Sequence, residues 1–385
     1  MAHPAGSAAA AVTPTVTPTV GRDSRDAVLV LRALGLGDAA TGIAALRGVR
    51  RAWPDRFIAL AAPAVIGQWL RDLGIIDEVL PTVGLDELAW PPPGWLDGGG
   101  HIAVDLHGRG PLSHRVLLRT APAQLIGFRC PPAGHLSGPS WRPDEHEVDR
   151  WCRLISRAGG PCGRQDLLLR QTPAVGGQVV VHPGAASGSR RWPAERWSTV
   201  VDRLHAGGHP IVVTGSPAER ELCRAVAHGP QPADAPNDPA VRVECELDLA
   251  QLTEIIGGAA LLISGDTGVA HLATALRVRS VLLFGPTPPA SWGPAVDDDL
   301  HTVLWHGNAS RPGDPHGATI DPALNAVSVQ EVLTAARAQL STVSSWTPPA
   351  AVQAETPTVP TLPFRPVVPA HERTSPQSGP ALQPS

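Results

Sequence analysis

Leu261-Leu-Ile-Ser-Gly-Asp-Thr-Gly-Val-Ala-His271 reads as an apolar strand that runs into a small-residue turn and then opens a helix. That is how α/β proteins present backbone N–H groups to a phosphate. Asp266 or Thr267 can cap the new helix, Gly268 lets a ligand approach the backbone, and His271 lies about one turn further on, facing the same mouth. The same residues also fit a capped helix with a core histidine, so the turn alone leaves both readings open.

Outward from this stretch, apolar strands alternate with amphipathic helical segments, which predicts α/β architecture with parallel sheets covered on both faces. The pattern occurs twice. The first series has strands from Ala27, Phe57, Ile102 and Gln124, with helices near Asp38–Arg51, Leu112–Arg119 and Asp144–Ser156. An Ala-Gly-Gly-Pro-Cys-Gly segment then breaks it. The second series has strands from Gln178, Ile211, Leu261 and Ser280, with helices from Pro193, Pro217, Asp248 and Gly268. We therefore expect two doubly wound, Rossmann-like domains over 27–160 and 161–342, flanked by disordered tails at 1–26 and 343–385, where Pro, Thr and Ser are frequent.

At 385 residues the chain suits two domains better than one core. No apolar run approaches the ~20 residues that cross a bilayer, so no transmembrane segment is expected and any membrane contact is peripheral. The formal net charge of -4 gives no footprint for nucleic-acid binding. No lysine occurs, so a phosphate clamp here must use Arg forks and backbone amides. The five cysteines have no paired C-x-x-C spacing, which argues against a zinc site or a disulfide framework and for reduced, cytoplasmic thiols. The N-terminus lacks the charged start and aliphatic block of a secretory signal.

Three further turns carry chemistry. Gly35-Leu-Gly37-Asp38-Ala-Ala40 fits the G-x-G-x-x-A dinucleotide pattern, but Asp38 would set a carboxylate against the pyrophosphate and the second strand ends without a ribose-binding acid. An Asp on a glycine turn at the carboxyl edge of a sheet either caps the helix or faces the ligand crevice as a proton acceptor. His182-Pro-Gly184 begins a flexible loop in which Ser187, Ser189, Arg190 and Arg191 can wrap a diphosphate; a solvated basic loop is the plainer alternative. Glu219, after Thr214-Gly-Ser216, can bind a ribose hydroxyl or serve as a first-turn acid. Asp297-Asp-Asp299 has the D-x-D spacing of a cation site but reads as a solvated acidic run. The sequence has no G-x-x-x-x-G-K-[ST] and no G-x-S-x-G.

Taken in order, Val28-Leu-Val-Leu-Arg-Ala-Leu-Gly-Leu-Gly-Asp38, His182-Pro-Gly184, Arg190-Arg-Trp-Pro193, Gly215-Ser-Pro-Ala-Glu219 and Ser264-Gly-Asp-Thr-Gly-Val-Ala-His-Leu-Ala273 resemble glycosyltransferase family 9, the ADP-heptose:lipopolysaccharide heptosyltransferase family. The resemblance implies a GT-B fold and an inverting transfer that needs no metal or other cofactor, with a nucleotide-diphosphate sugar, ADP-heptose, as donor. It implies a glycan or lipid-linked acceptor and work in the cytoplasm, peripheral at the inner face of the cell membrane. It puts Asp38 at the general base and Arg190 where the family usually has Lys. Asp266, Thr267, Gly268 and His271 fall on the donor turn, with His182, Gly184, Ser187, Arg191, Ser216 and Glu219 beside it. Gly37, Asp105, His107 and Arg109 fall on the acceptor side. A nucleotide-sugar epimerase of the same shape, an NAD-dependent oxidoreductase and a non-catalytic binding protein stay open as alternatives.

Overall fold

A computed structural model describes residues 23–96, 99–229 and 240–344. Most of the predicted tails lies outside this range, but Ser24–Asp26 form a turn capped by the Asp23 carboxylate, and the last helix runs to Ser344.

The first half comprises β1 (Ala27–Leu31), α1 (Leu36–Ala52), β2 (Phe57–Ala62), α2 (Ala64–Asp72), β3 (Glu78–Pro81), β4 (Ile102–Asp105), α3 (Leu112–Leu118), β5 (Gln124–Ile126) and α4 (Glu147–Arg157). Its strands form one parallel sheet in the order β3-β2-β1-β4-β5. The second half comprises β6 (Gln178–His182), α5 (Ala194–Ala206), β7 (Ile211–Thr214), α6 (Arg220–His228), β8 (Val241–Glu244), α7 (Leu249–Gly257), β9 (Ala259–Gly265), α8 (Gly268–Ala275), β10 (Ser280–Leu283), α9 (Pro289–Trp292), β11 (His301–Leu304), α10 (Pro322–Ala326) and α11 (Val329–Ser344). Its sheet, also parallel, runs β11-β10-β9-β6-β7-β8. These are the two Rossmann-like units expected from the repeated pattern.

Strand order fixes where ligands can bind. In each sheet the winding reverses beside the first strand, between β1 and β4 and between β6 and β9, and the crevice lies beyond the carboxyl ends at that reversal. The turn carrying Asp38 follows β1, the His182 loop follows β6 and the Asp266 turn follows β9. All three sit where the topology opens a site.

The halves share one apolar core. It runs from Val28, Ile43, Leu46 and Trp151 to Ile256, Val269 and Leu272. Helix α1 is its axis, packing on both α4 and α8. The small residues of α1 explain the fit. A Cβ on Gly48 would stand 2.7 Å from Cys162 Sγ and 2.9 Å from Ile155, so only glycine allows that approach.

Sequence periodicity did not reveal α2, β3, β8, β11, α10 or α11. The missed strands are short edge strands, only partly buried, so they carry no continuous apolar run. The helix expected from Pro217 begins as a 3-10 turn, Pro217–Glu219, before α6.

The segment after α4 is seated by backbone contact: a Cβ on Gly160 would fall 2.1 Å from the Gly48 carbonyl oxygen, whereas one on Gly163 would meet nothing within 4 Å. Gly160→Ala should therefore lower the unfolding free energy by about 1–3 kcal/mol while Gly163→Ala shifts it by less than about 0.5 kcal/mol. Urea titration of both variants checks this, and equal effects would contradict the packing described.

Candidate functional site

The N-termini of α1 and α8, one from each half, meet head to head. A Cβ on Gly37 would lie 3.1 Å from the His271 ring and 3.4 Å from Gly268 Cα, and one on Gly268 would lie 2.8 Å from Leu36 Cβ and 3.0 Å from the Gly37 nitrogen. Two glycines thus let two helix starts touch. Neither has a side-chain cap: Gly35 precedes α1, and Thr267, at the cap position of α8, makes no capping hydrogen bond. The Thr267 hydroxyl is buried without a partner. Each N-terminus carries roughly half a positive charge, which Asp38 in the first turn of α1 offsets in part, and their open N–H groups can take an anion.

They open onto a cleft of about 580 Å³. Of the residues predicted for the donor site, His182, Gly184, Arg190, Glu219, Asp266, Thr267, Gly268 and His271 line it, as do Gly37 and Asp38. Arg190 is anchored by its Nη1, which donates to the Asp266 carbonyl at 3.2 Å, and by its Nε, 3.3 Å from Ser187 Oγ. Asp266 is buried, and burial pushes its carboxyl up to about 6 against the pull of Arg190 and a hydrogen bond from Thr287. Burial also drives His182 and His271 down to about 4, so both imidazoles are neutral at pH 7. They offer hydrogen bonds there, not charge. His182 Nδ1 already shares one with Thr214 Oγ1 at 3.0 Å.

Glu219 fills the cap role and still reaches the cleft. Its Oε2 accepts from the Ser216 nitrogen and hydroxyl at 2.9 and 2.7 Å. Gly184 makes room, since a Cβ there would fall 2.3 Å from Glu219 Oε1. Ser216 therefore orients the acid without lining the cavity. Ser187 and Arg191 also support the loop from behind: the Ser187 hydroxyl donates to the Pro315 carbonyl, and Arg191 Nε donates to the Ala185 carbonyl.

Asp38 stands in the first turn of α1, opposite the Asp266 turn, and does not cap its helix. Beneath it lies Arg32, a residue the sequence reading passed over. The Arg32 side chain is 1% exposed. It donates to the Asp38 carbonyl at 2.6 Å, to the Leu106 carbonyl and to Thr41 Oγ1 at 3.2 Å, and lies 3.9 Å from the Asp38 carboxylate and 3.5 Å from Glu147. Gly42 leaves its space, because a Cβ there would come within 2.6 Å of Arg32 Nε. Burial holds the Asp38 carboxyl above the ordinary range; Arg32 and Arg190 pull it down, while Glu147 adds to the rise. The visible signal was an Arg closing an otherwise apolar strand.

Of the residues expected on the acceptor side, Gly37 lines the cleft, whereas Asp105, His107 and Arg109 do not. Asp105 is fully buried, 2.9 Å from His114 Nδ1 and accepting from the His107 nitrogen at 2.9 Å. Arg109 is exposed, and His107 is half-buried with an unpartnered Nδ1. Asp105 thus orders its loop. Asp297 is likewise committed, held by Arg277 at 2.9 and 3.1 Å, so the acidic run is not simply solvated. Thr287, Trp292, Pro315 and His316, which the sequence reading missed, also line the cleft.

Residues 143–312 match the family model described as glycosyltransferase family 9 (heptosyltransferase). Lipopolysaccharide heptosyltransferase 1 of Pseudomonas aeruginosa PAO1 is 32% identical over 167 residues, which is 41% of this chain and 44% of that protein. The chain thus spans less than half the length of the curated relatives it matches first. The fold is similar to that of a family 9 glycosyl transferase from Veillonella parvula, with a TM-score of 0.64 and 20% identity over 83% of this chain and 98% of that one. It is also similar to that of the Escherichia coli ADP-heptose lipopolysaccharide heptosyltransferase II, with a TM-score of 0.62 and 18% identity over 83% and 99%. The two sheets facing a shared cleft are the GT-B architecture. Within that fold, residues 143–312 are thus similar to glycosyltransferase family 9.

Proposed function

We propose that the chain is an inverting glycosyltransferase that moves a sugar, heptose from ADP-heptose, to a hydroxyl of a glycan or cell-envelope acceptor. The observation that carries this reading is the meeting of the α1 and α8 N-termini beside Arg190, opposite Asp38. A nucleotide diphosphate is the anion that suits those groups. Arg190 and the open helix donors take up the negative charge that grows on the leaving diphosphate, and no metal ion is required for that task. Glu219, oriented by Ser216, faces the ribose. The neutral His182 and His271 give hydrogen bonds to donor oxygens. In this reading residues 27–160 present the acceptor and 161–342 hold the donor.

Asp38 takes the proton from the acceptor hydroxyl as it attacks the anomeric carbon while the diphosphate leaves from the opposite side. A carboxylate is a weak base, and holding it above its ordinary range strengthens it. Arg32 fixes its position. The relatives' names supply heptose and ADP, and the reading places the work in the cytoplasm, peripheral to the membrane.

Calorimetric titration with ADP in EDTA should show binding, weakened about 10- to 100-fold in Arg190→Ala, the loss of a charge-assisted contact of about 1.5–3 kcal/mol. Binding only with added metal, or none, would refute the donor site. Asp38→Asn should bind ADP as well or more tightly, because a cleft carboxylate opposes the diphosphate, yet lose about 10²–10⁴-fold in transfer from ADP-heptose to an envelope extract. Transfer by the unaltered chain should fall as pH drops through the raised Asp38 value, at a higher pH than for a free carboxylate. An Asp38→Asn enzyme of full activity would remove Asp38 from the mechanism.

A further inference from the structure

Residues 106–143 contain five arginines and no Asp or Glu, in a chain whose net charge is -4. Arg109, Arg115, Arg119, Arg129 and Arg142 are all exposed. None forms an ion pair with a described residue. Helix α3 runs through this segment, turning Ser113, His114, Val116 and Leu117 inward. The outward stripe is Leu112, Arg115, Leu118 and Arg119, with the leucines 59% and 43% exposed. Arg115 donates to the Pro132 carbonyl at 2.8 Å, which ties the stripe to the following loop, where Leu136 is 66% exposed.

We propose that α3 and the 127–139 loop form a docking face for a membrane bearing anionic lipid headgroups. Unpaired guanidiniums interleaved with bare leucines suit that partner: the arginines meet headgroup phosphates while the leucines enter the acyl boundary. A purely polar anion would leave the leucines unused, and an apolar partner would leave the arginines unpaired.

Helix α3 follows the carboxyl end of β4 in the first half, the half that the transferase reading gives to the acceptor. The docking itself does not rest on that reading.

The test is co-sedimentation of the full chain with phosphatidylcholine vesicles and with vesicles also containing phosphatidylglycerol, with ADP binding measured on the same samples. Binding should require phosphatidylglycerol and weaken with salt. Arg115→Glu/Arg119→Glu should reduce it at least about tenfold, and Leu112→Ser/Leu136→Ser should remove the salt-resistant part. Arg203→Glu/Arg337→Glu makes the same charge change on α5 and α11 and should leave it unaltered. Equal binding to both vesicles, no binding, or face variants that behave like the α5/α11 pair would overturn the proposal. Loss of ADP binding with vesicle binding intact would instead sink the transferase reading and leave the face standing.

Discussion

Gly37 and Gly268 stand where two helix N-termini from different halves come within van der Waals contact. A side chain at Gly268 would meet Leu36 and the Gly37 nitrogen and push α1 from α8. Since α1 is also the axis of the shared core, that displacement would reach Trp151 on one side and Leu272 on the other. The contact brings two positive helix poles together, offset in part by Asp38 in the first turn of α1. The cleft has Arg190, an unpartnered Thr267 hydroxyl and uncapped helix starts, all of which accept an anion without rearranging.

The Asp38 side of the cleft depends on a different device. Arg32 is a buried cation linked to three elements: the first turn of α1, the end of β4 and, through Glu147, the start of α4. Glu147 is in turn held by Arg150 and by the Trp151 indole, 2.5 Å away. Removing one partner from a buried ion pair typically costs about 3–5 kcal/mol, so this network cannot relax to suit a ligand. It fixes the carboxylate in place before any substrate arrives, and fixed dipoles and charges contribute most when they need no reorganisation.

The two parallel sheets were legible because buried strands and helical periods alternate twice, and the cleft was legible because its turns follow strands at their carboxyl ends. Asp38, Arg190, Asp266 and His271 lie on such turns or in the first turns of the helices they open, and the fold brings all four to one cavity. Short edge strands such as β8 are only partly buried and carry no continuous apolar run. Arg32 escaped notice for a different reason: its role comes from Thr41, Leu106 and Glu147, which are local to it only in three dimensions. Asp105, at the carboxyl end of β4, has the position of a site residue in sequence, yet the fold buries it beside His114.

The most direct test of the central claim is a crystal structure of the chain with ADP. The account predicts phosphate oxygens at hydrogen-bond distance from the backbone nitrogens at the start of α8 and from the Arg190 guanidinium, with Asp38 facing them across the cleft. Phosphates seated elsewhere, with the α8 N-terminus and Arg190 left without an anion, would contradict it.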